Sequence, residues 1–313
     1  MAQRFHIFCM SLFLVLLSAV FSLLKGSSSL PLSALLFDDN VILLTLRLPR
    51  TLCAFTSGGL LALAGCLMQL LLQNPLADPY ALGISSGAAL GTLLVMLFGC
   101  SETWLIVGAW AGSLSAISLI ALLARKHRFQ SHSLLLVGIA LGCGLSACIS
   151  IVLLISPDTN LHSMLFWLSG DISETQIPWL SIVILGIGSM LCYLLAPALN
   201  ILGRGEKEAK ALGLAGNKYR IAIFLLASLF TAAAVTIAGC IGFIGLIVPH
   251  LTRLLLGFDH RIVLPIATLM GGSLLMLADT FARTLLAPQQ LPVGIIIAII
   301  GVPIFIWLIQ TKS

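Results

Sequence analysis

From Thr51 to Ala77 the chain carries no Asp, Glu, Lys or Arg, and the same is true from Ile221 to Thr252 and from Thr284 to Thr311. Each run exceeds the roughly 20 apolar residues with which a helix crosses the hydrocarbon core of a bilayer. Lipid offers no partners to backbone N–H and C=O groups, so long apolar runs are stable there as helices, whose hydrogen bonds are internal. The weak alternation of a membrane barrel is absent. Composition agrees: 59% of the residues are hydrophobic and 9% are charged, against about 25% charged in a soluble domain. The 313 residues have room for about ten such helices joined by short loops. The chain is therefore expected to be an all-α polytopic membrane protein, with one transmembrane domain over residues 1–313.

The apolar runs place the spans at roughly 5–24, 51–72, 80–98, 103–124, 133–155, 177–199, 220–240, 242–257, 261–282 and 291–310. The eighth is short, follows the seventh almost without a loop, and is expected to be tilted or broken. The first resembles a signal peptide. It is long for one and lacks a clear A-x-A site before Lys25, so it is expected to be retained.

Loop charges orient the bundle. With the N-terminus inside, twelve of the sixteen Lys and Arg residues fall in inner segments, and Lys25, Arg47, Arg50 and Arg283 fall outside. The positive-inside rule then expects both termini in the cytoplasm. The net charge of +5 is thus a topology signal and not a nucleic-acid footprint. Asp38, Asp39, Glu102, Asp158, Asp171 and Glu174 fall in outer loops. The loop 156–176 has an apolar centre, Met164 to Leu168, expected as a short interfacial helix because Trp167 suits that depth.

The stretch Arg47–Gly91 reads as an arginine-fronted helix, a turn at Gln73–Pro79 and a second helix. Gly83, Gly87 and Gly91 recur every four residues, as do Gly138 and Gly142. That spacing lets another helix backbone approach, and close helix packing is the favoured reading. The largest inner loop, 202–220, contains a plausible two-turn helix over Glu206–Leu212, closed by Gly213. Such a helix is too short to be stable alone and suits a groove on a soluble partner, with Ala209, Ala211 and Leu212 as its apolar strip.

Chemistry is sparse. No G-x-x-x-x-G-K-[ST] loop occurs, so the chain has no usual cradle for ATP phosphates. The span centres are nearly free of the ionisable groups that ion-coupled carriers bury. Asp279 and Arg283, four residues apart, share one helix face near its outer end. The eight cysteines are scattered without a C-x-x-C, and His127, His132 and His250 show no zinc-hydrolase spacing. No catalytic residue and no metal site are expected. The chain reads as a pore without its own engine.

These motifs resemble the FecCD family, the permease subunits of type II ABC importers for iron–siderophore, haem and vitamin B12. The resemblance rests on RLPRTL (47–52), NPLADP (74–79), LGISSGAALG (82–91), GEKEAKALGL (205–214), GFIGLIVPHLTRLLLGFDHRIVLP (242–265), LADTFARTL (277–285) and LPVGIIIAIIGVPIFIWL (291–308). Their order and spacing are specific, and they cover most of the chain. The resemblance implies the ten-helix fold of the vitamin B12 permease. It implies a homodimer in the cytoplasmic (inner) membrane of a bacterium, with the pathway between the copies. It also implies separate ABC ATPase subunits inside and a periplasmic or lipid-anchored substrate-binding protein outside. By motif match, Arg47, Arg50 and Arg283 would dock that binding protein through its glutamates. Glu206, Glu208, Ala209 and Gly213 would form the coupling helix in the ATPase groove. Gly138, Gly142, Gly294 and Pro303 would line the pathway or the dimer interface. Relatives commonly carry Glu before the Leu-Pro-x-Gly of the last helix, where this chain has Gln290.

The expected function is ATP-driven import of an iron chelate, a ferric siderophore or haem. The chain itself would bind no cofactor, and ATP and Mg would be bound in the partner ATPase. Lipid surrounds it and nucleic acid is no partner. Vitamin B12 or an oxyanion is the alternative cargo within the same class. An ion-coupled secondary transporter is the alternative from another class, disfavoured by the lack of mid-span carboxylates. An intramembrane enzyme lacks any catalytic constellation.

Overall fold

A computed structural model describes residues 2–26, 41–126, 129–172 and 176–310. Every expected span is a helix. In chain order these are α1 (Ala2–Leu24), α2 (Leu48–Leu71), α3 (Ile84–Leu97), α4 (Glu102–Arg125) and α5 (Ser131–Ile155). Then come α6 (Asp158–Leu168), α7 (Trp179–Gly203), α8 (Glu206–Ala211), α9 (Gly216–Ala238), α10 (Ile244–Leu256), α11 (His260–Thr284) and α12 (Val293–Gln310). Seven of them are long and apolar enough to cross a membrane, while α3, α10 and α12 are shorter apolar helices. The described residues contain no strand.

α2 is the axis of the bundle. It is buried almost continuously from Thr51 to Leu71 and packs on α7, α9, α10 and α11. Small residues make this possible. A Cβ on Gly58 would lie 2.2 Å from the Gly271 carbonyl oxygen, and one on Gly65 would lie 1.8 Å from that of Gly245. Backbones this close leave no room for any side chain, and van der Waals contact of this kind drives helix association where lipid supplies no hydrophobic force. The same device joins α3 to α4. Gly87 meets Gly112, and Gly91 meets Gly108, with a Cβ on any of the four falling 2.0–2.7 Å from the opposite carbonyl oxygen. The four-residue glycine spacing in α3 is therefore a helix-packing seam, as its periodicity suggested.

Two segments depart from simple spans. α6 forms where the apolar centre of the 156–176 loop lies, and it is anchored on the bundle through one residue. Met164 is fully buried, packed with Ala89 and Leu93 of α3 and Val152 of α5. The small side chains of α3 leave the groove that it fills. α10 begins from an irregular link, Gly239–Phe243, in place of a full span, with Phe243 in the left-handed region at φ +67°. This link, the end of α6 and the start of α12 meet. Val293 N–H donates to the Gly170 carbonyl at 3.0 Å, and Ile241 N–H donates to Tyr80 Oη at 2.7 Å. Non-helical backbone at membrane depth is stable only inside protein or along a cavity, and here the neighbouring chain supplies the missing partners.

Candidate functional site

Polar groups gather at the two ends of α2. At its first turn, Arg50 donates from Nε and Nη2 to Asp279 Oδ1 at 3.0 and 2.9 Å. Its Nη1 donates to Gln290 Oε1 at 2.9 Å. Arg283, one helical turn beyond Asp279, places Nε 3.0 Å from Asp279 Oδ2 and Nη2 3.1 Å from Ser22 Oγ. Arg47 donates from Nη1 to the Leu23 and Leu24 carbonyls, each at 2.8 Å. Those are orphan carbonyls at the C-terminus of α1, where a cation also complements the helix dipole.

The three arginines named from the sequence thus converge on one end of the bundle, in a network joining α1, α2, α11 and the segment before α12. The network also limits what they present. Arg47 and Arg283 are buried, at 5% and 6% exposure, and Asp279 is fully buried. The Arg50 side chain is 13% exposed, and its Nη1 arm ends on Gln290, an exposed residue. One buried carboxylate serves two guanidinium groups. The sequence revealed the Asp279–Arg283 pair through its i,i+4 spacing. It could not reveal Arg50–Asp279, which are 229 residues apart.

The 24 residues of α2 carry the chain about 36 Å to the opposite end, where α8 lies. Gly213 has φ +73°, a conformation that costs glycine little and other residues more. Leu214 N–H donates to the Ala209 carbonyl at 2.9 Å and Gly213 N–H to that of Lys210 at 3.0 Å. This paired closure is the Schellman arrangement, so the role read for Gly213 as a helix terminator holds. Glu208, Ala211 and Leu212 are exposed. Ala209 is not: at 1% exposure it faces its own bundle, beside a cavity of about 740 Å³ that Asn74, His132 and Arg220 also line. The outward apolar strip is therefore Ala211 and Leu212 without Ala209, because the short helix turns its fourth residue towards the bundle. Glu206 opens α8, and its side chain lies outside the described residues.

A second cavity, of about 1110 Å³, opens between α2, α7 and the α10–α11 turn. Arg253 reaches across it, donating from Nη2 to Gln69 Oε1 and from Nε to the Pro249 carbonyl at 3.3 Å. Gln69 in turn donates Nε2 to the Leu246 carbonyl at 3.0 Å, satisfying a backbone group in the first turn of α10. Asn200 Oδ1 accepts from His260 N–H at 2.8 Å, and its Nδ2 donates to Asp259 Oδ1 at 2.8 Å. Below α2, Asp78 Oδ1 accepts from Tyr80 N–H at 2.8 Å. Burial pushes the Asp78 carboxyl above the usual carboxylate range, opposed by the N–H groups of Tyr80 and Phe243. Sequence reasoning missed Gln69, Asn200 and Arg253. Their signal was available: each is a polar side chain set inside or at the edge of an apolar run.

Three of the four residues proposed for a pathway or dimer face do packing work inside this chain. A Cβ on Gly83 would sit 3.2 Å from the Gly138 carbonyl oxygen and 3.1 Å from Gly142 Cα, so both clamp α5 to the start of α3. Gly294 admits the Ser169 carbonyl, 2.3 Å from where its Cβ would be. Pro303 lies on an exposed face of α12. Among the described residues, no three His, Cys, Asp or Glu side chains are placed to hold a metal ion.

The helical bundle, with a buried glycine-packed axis, an arginine cluster at one end and a short capped helix at the other, is that of an integral membrane permease subunit of the ABC-transporter type, as its relatives show. The chain belongs to the FecCD transport family, whose model matches residues 12–311. It is 41% identical over 278 residues to the hemin transport system permease protein HmuU of Yersinia pestis, covering 86% of this chain and 83% of that protein. It is 37% identical over 306 residues to the vitamin B12 import system permease protein BtuC of Salmonella typhi, covering 96% and 93%. A solved structure, an inward-facing conformation of a putative metal-chelate type ABC transporter, superposes with a TM-score of 0.88 at 34% identity, covering 98% of this chain and 99% of that one.

Proposed function

We propose that this permease carries a metal chelate, an iron chelate such as haem or a ferric siderophore, inward across the cytoplasmic membrane of a bacterium. The observation that carries this reading is the similarity along the whole chain to a hemin permease and to a metal-chelate type transporter. Cobalamin is the second reading, favoured by the similarity to BtuC over 96% of the chain. Two copies of the chain would enclose the pathway. ATPase subunits, holding ATP and Mg, would engage Glu208, Ala211 and Leu212 of α8 from the cytoplasm. A binding protein would dock on the Arg50 end from outside, and both termini would be cytoplasmic. An ion-coupled mechanism is poorly served, since among the described residues the acid within a long span, Asp279, lies near the end of α11 and is committed to Arg50 and Arg283.

The cargo is tested in proteoliposomes holding the complete complex, by ATP-dependent uptake of haem, ferric siderophores and cobalamin. Uptake that persists when ion gradients are collapsed supports the ATP-driven class, and loss of uptake under those conditions refutes it. Docking is tested with Arg50→Gln, which leaves Asp279 paired with Arg283. We expect weaker binding-protein affinity, most clearly at low salt, because exposed charge attraction is screened within about 10 Å at 0.1 M ionic strength. Unchanged affinity would remove Arg50 from the docking surface.

A further inference from the structure

Gln290 is exposed, sits beyond the end of α11, and makes one side-chain contact of consequence: its Oε1 accepts from Arg50 Nη1 at 2.9 Å. The rest of the Arg50 guanidinium is turned inward. Nε lies 3.0 and 3.2 Å from the two Asp279 oxygens, and Nη2 lies 2.9 Å from Oδ1. Asp279 also carries Arg283 on Oδ2. The cluster of Arg50, Asp279, Arg283 and Gln290 therefore holds two positive charges, one negative charge and one neutral amide, a net charge of +1. Its geometry aims that surplus outward, since the inner edges of both guanidinium groups are occupied by Asp279 and the Ser22–Thr280 hydroxyls.

Resting on the docking reading above, we infer that Gln290 is a neutral placeholder that sets the affinity of the Arg50 end for an acidic protein partner. Its amide oxygen holds the Nη1 arm extended towards the surface without cancelling its charge. A carboxylate on the partner then replaces the amide oxygen on Nη1. That exchange is favourable, because it adds an opposite charge to a guanidinium that already donates, and carboxylate is the acceptor best matched to it. A carboxylate at position 290 would make the exchange one ion pair for another, and the gain would vanish. Asp279 is the positioning residue of this arrangement. It fixes Nε and Nη2, so the arm that reaches the partner is always Nη1.

The test measures equilibrium affinity of the transport system's own binding protein for the permease–ATPase complex in nanodiscs, at low and at moderate salt. The variants are Gln290→Glu, Arg50→Gln and the two combined. Position 290 is exposed, so the Glu variant leaves the core untouched. Gln290→Glu is expected to weaken docking about tenfold and to flatten its salt dependence. In the Arg50→Gln background the same change should matter less than about twofold. If Arg50→Gln weakens docking and Gln290→Glu does not, the docking reading stands and the placeholder falls. An equal effect of Gln290→Glu in both backgrounds also overturns it, since the residue would then act through surface charge and not through Arg50. If Arg50→Gln leaves docking unchanged, the docking reading and this inference fall together.

Discussion

The two ends of α2 hold their arginines by different means. At the Arg50 end, a fully buried carboxylate compensates two guanidinium groups. At the Arg253 end, the guanidinium donates to an amide oxygen and a backbone carbonyl. The contrast separates two jobs. An ion pair in a low-dielectric site is costly to break, because removing one partner leaves a buried charge uncompensated. A guanidinium held by neutral acceptors keeps its charge and can be drawn towards a new partner at smaller cost. The first end is built to stay fixed, with one outward arm. The second lines a cavity of about 1110 Å³.

The largest expected effect tests the fixed end. Asp279→Ala should destabilise the protein by about 3–5 kcal/mol, read as a lower thermal unfolding midpoint in detergent. Asp279→Asn keeps an acceptor but removes the charge, and it should fall between the wild type and the Ala variant. An Asn variant as stable as the wild type would show that hydrogen bonding, and not ion pairing, holds this end, and the contrast would collapse.

At the other end, Gln69→Ala removes the acceptor for Arg253 and the donor to the Leu246 carbonyl. A loss of about 1–3 kcal/mol is expected, smaller than for Asp279→Ala because no opposite charge is lost. A loss equal to that of Asp279→Ala would mean that the two ends are equally rigid.

The smallest effect concerns the turn beneath α2. Asp78 accepts from Tyr80 N–H at the start of a short 3₁₀ turn. Asp78→Ala should cost about 1 kcal/mol, as for loss of other helix caps, while Asp78→Asn should be nearly neutral. Burial raises the Asp78 carboxyl in the folded protein. Its protonated form is therefore favoured by folding. The stability linked to it is fully present below the ordinary carboxylate range and declines as pH rises through the raised value. Unfolding midpoints across mildly acidic pH should show that slope in the wild type and lose it in Asp78→Asn.

Much of the fold was legible because the solvent is lipid. Backbone groups that lack water must be paired inside the segment, so an apolar run long enough to cross becomes a helix almost regardless of its neighbours. That is why all ten spans, the short helix at Glu206 and its terminator Gly213 could be placed from local pattern. α6 was legible as a helix, but not its anchor, since only the contact with Ala89 and Leu93 decides that Met164 is buried. The same limit applies to Ala209, whose inward turn depends on the face that α8 offers to α9.

The sequence by itself determined what each segment is: the spans, the charge bias of the loops, the glycine seams and the family motifs. Each of these is a property of residues within a few turns of one another. Only the tertiary structure decided which charges meet. Arg50 finds Asp279 across 229 residues, and Arg253 finds Gln69 across 184. Hydrogen-bonded contact of this kind needs donor and acceptor within about 3 Å, so it depends on distances that no local pattern encodes. Asp279 therefore looks in the sequence like a partner for Arg283 alone. In the folded chain it is the shared anchor of Arg50 and Arg283.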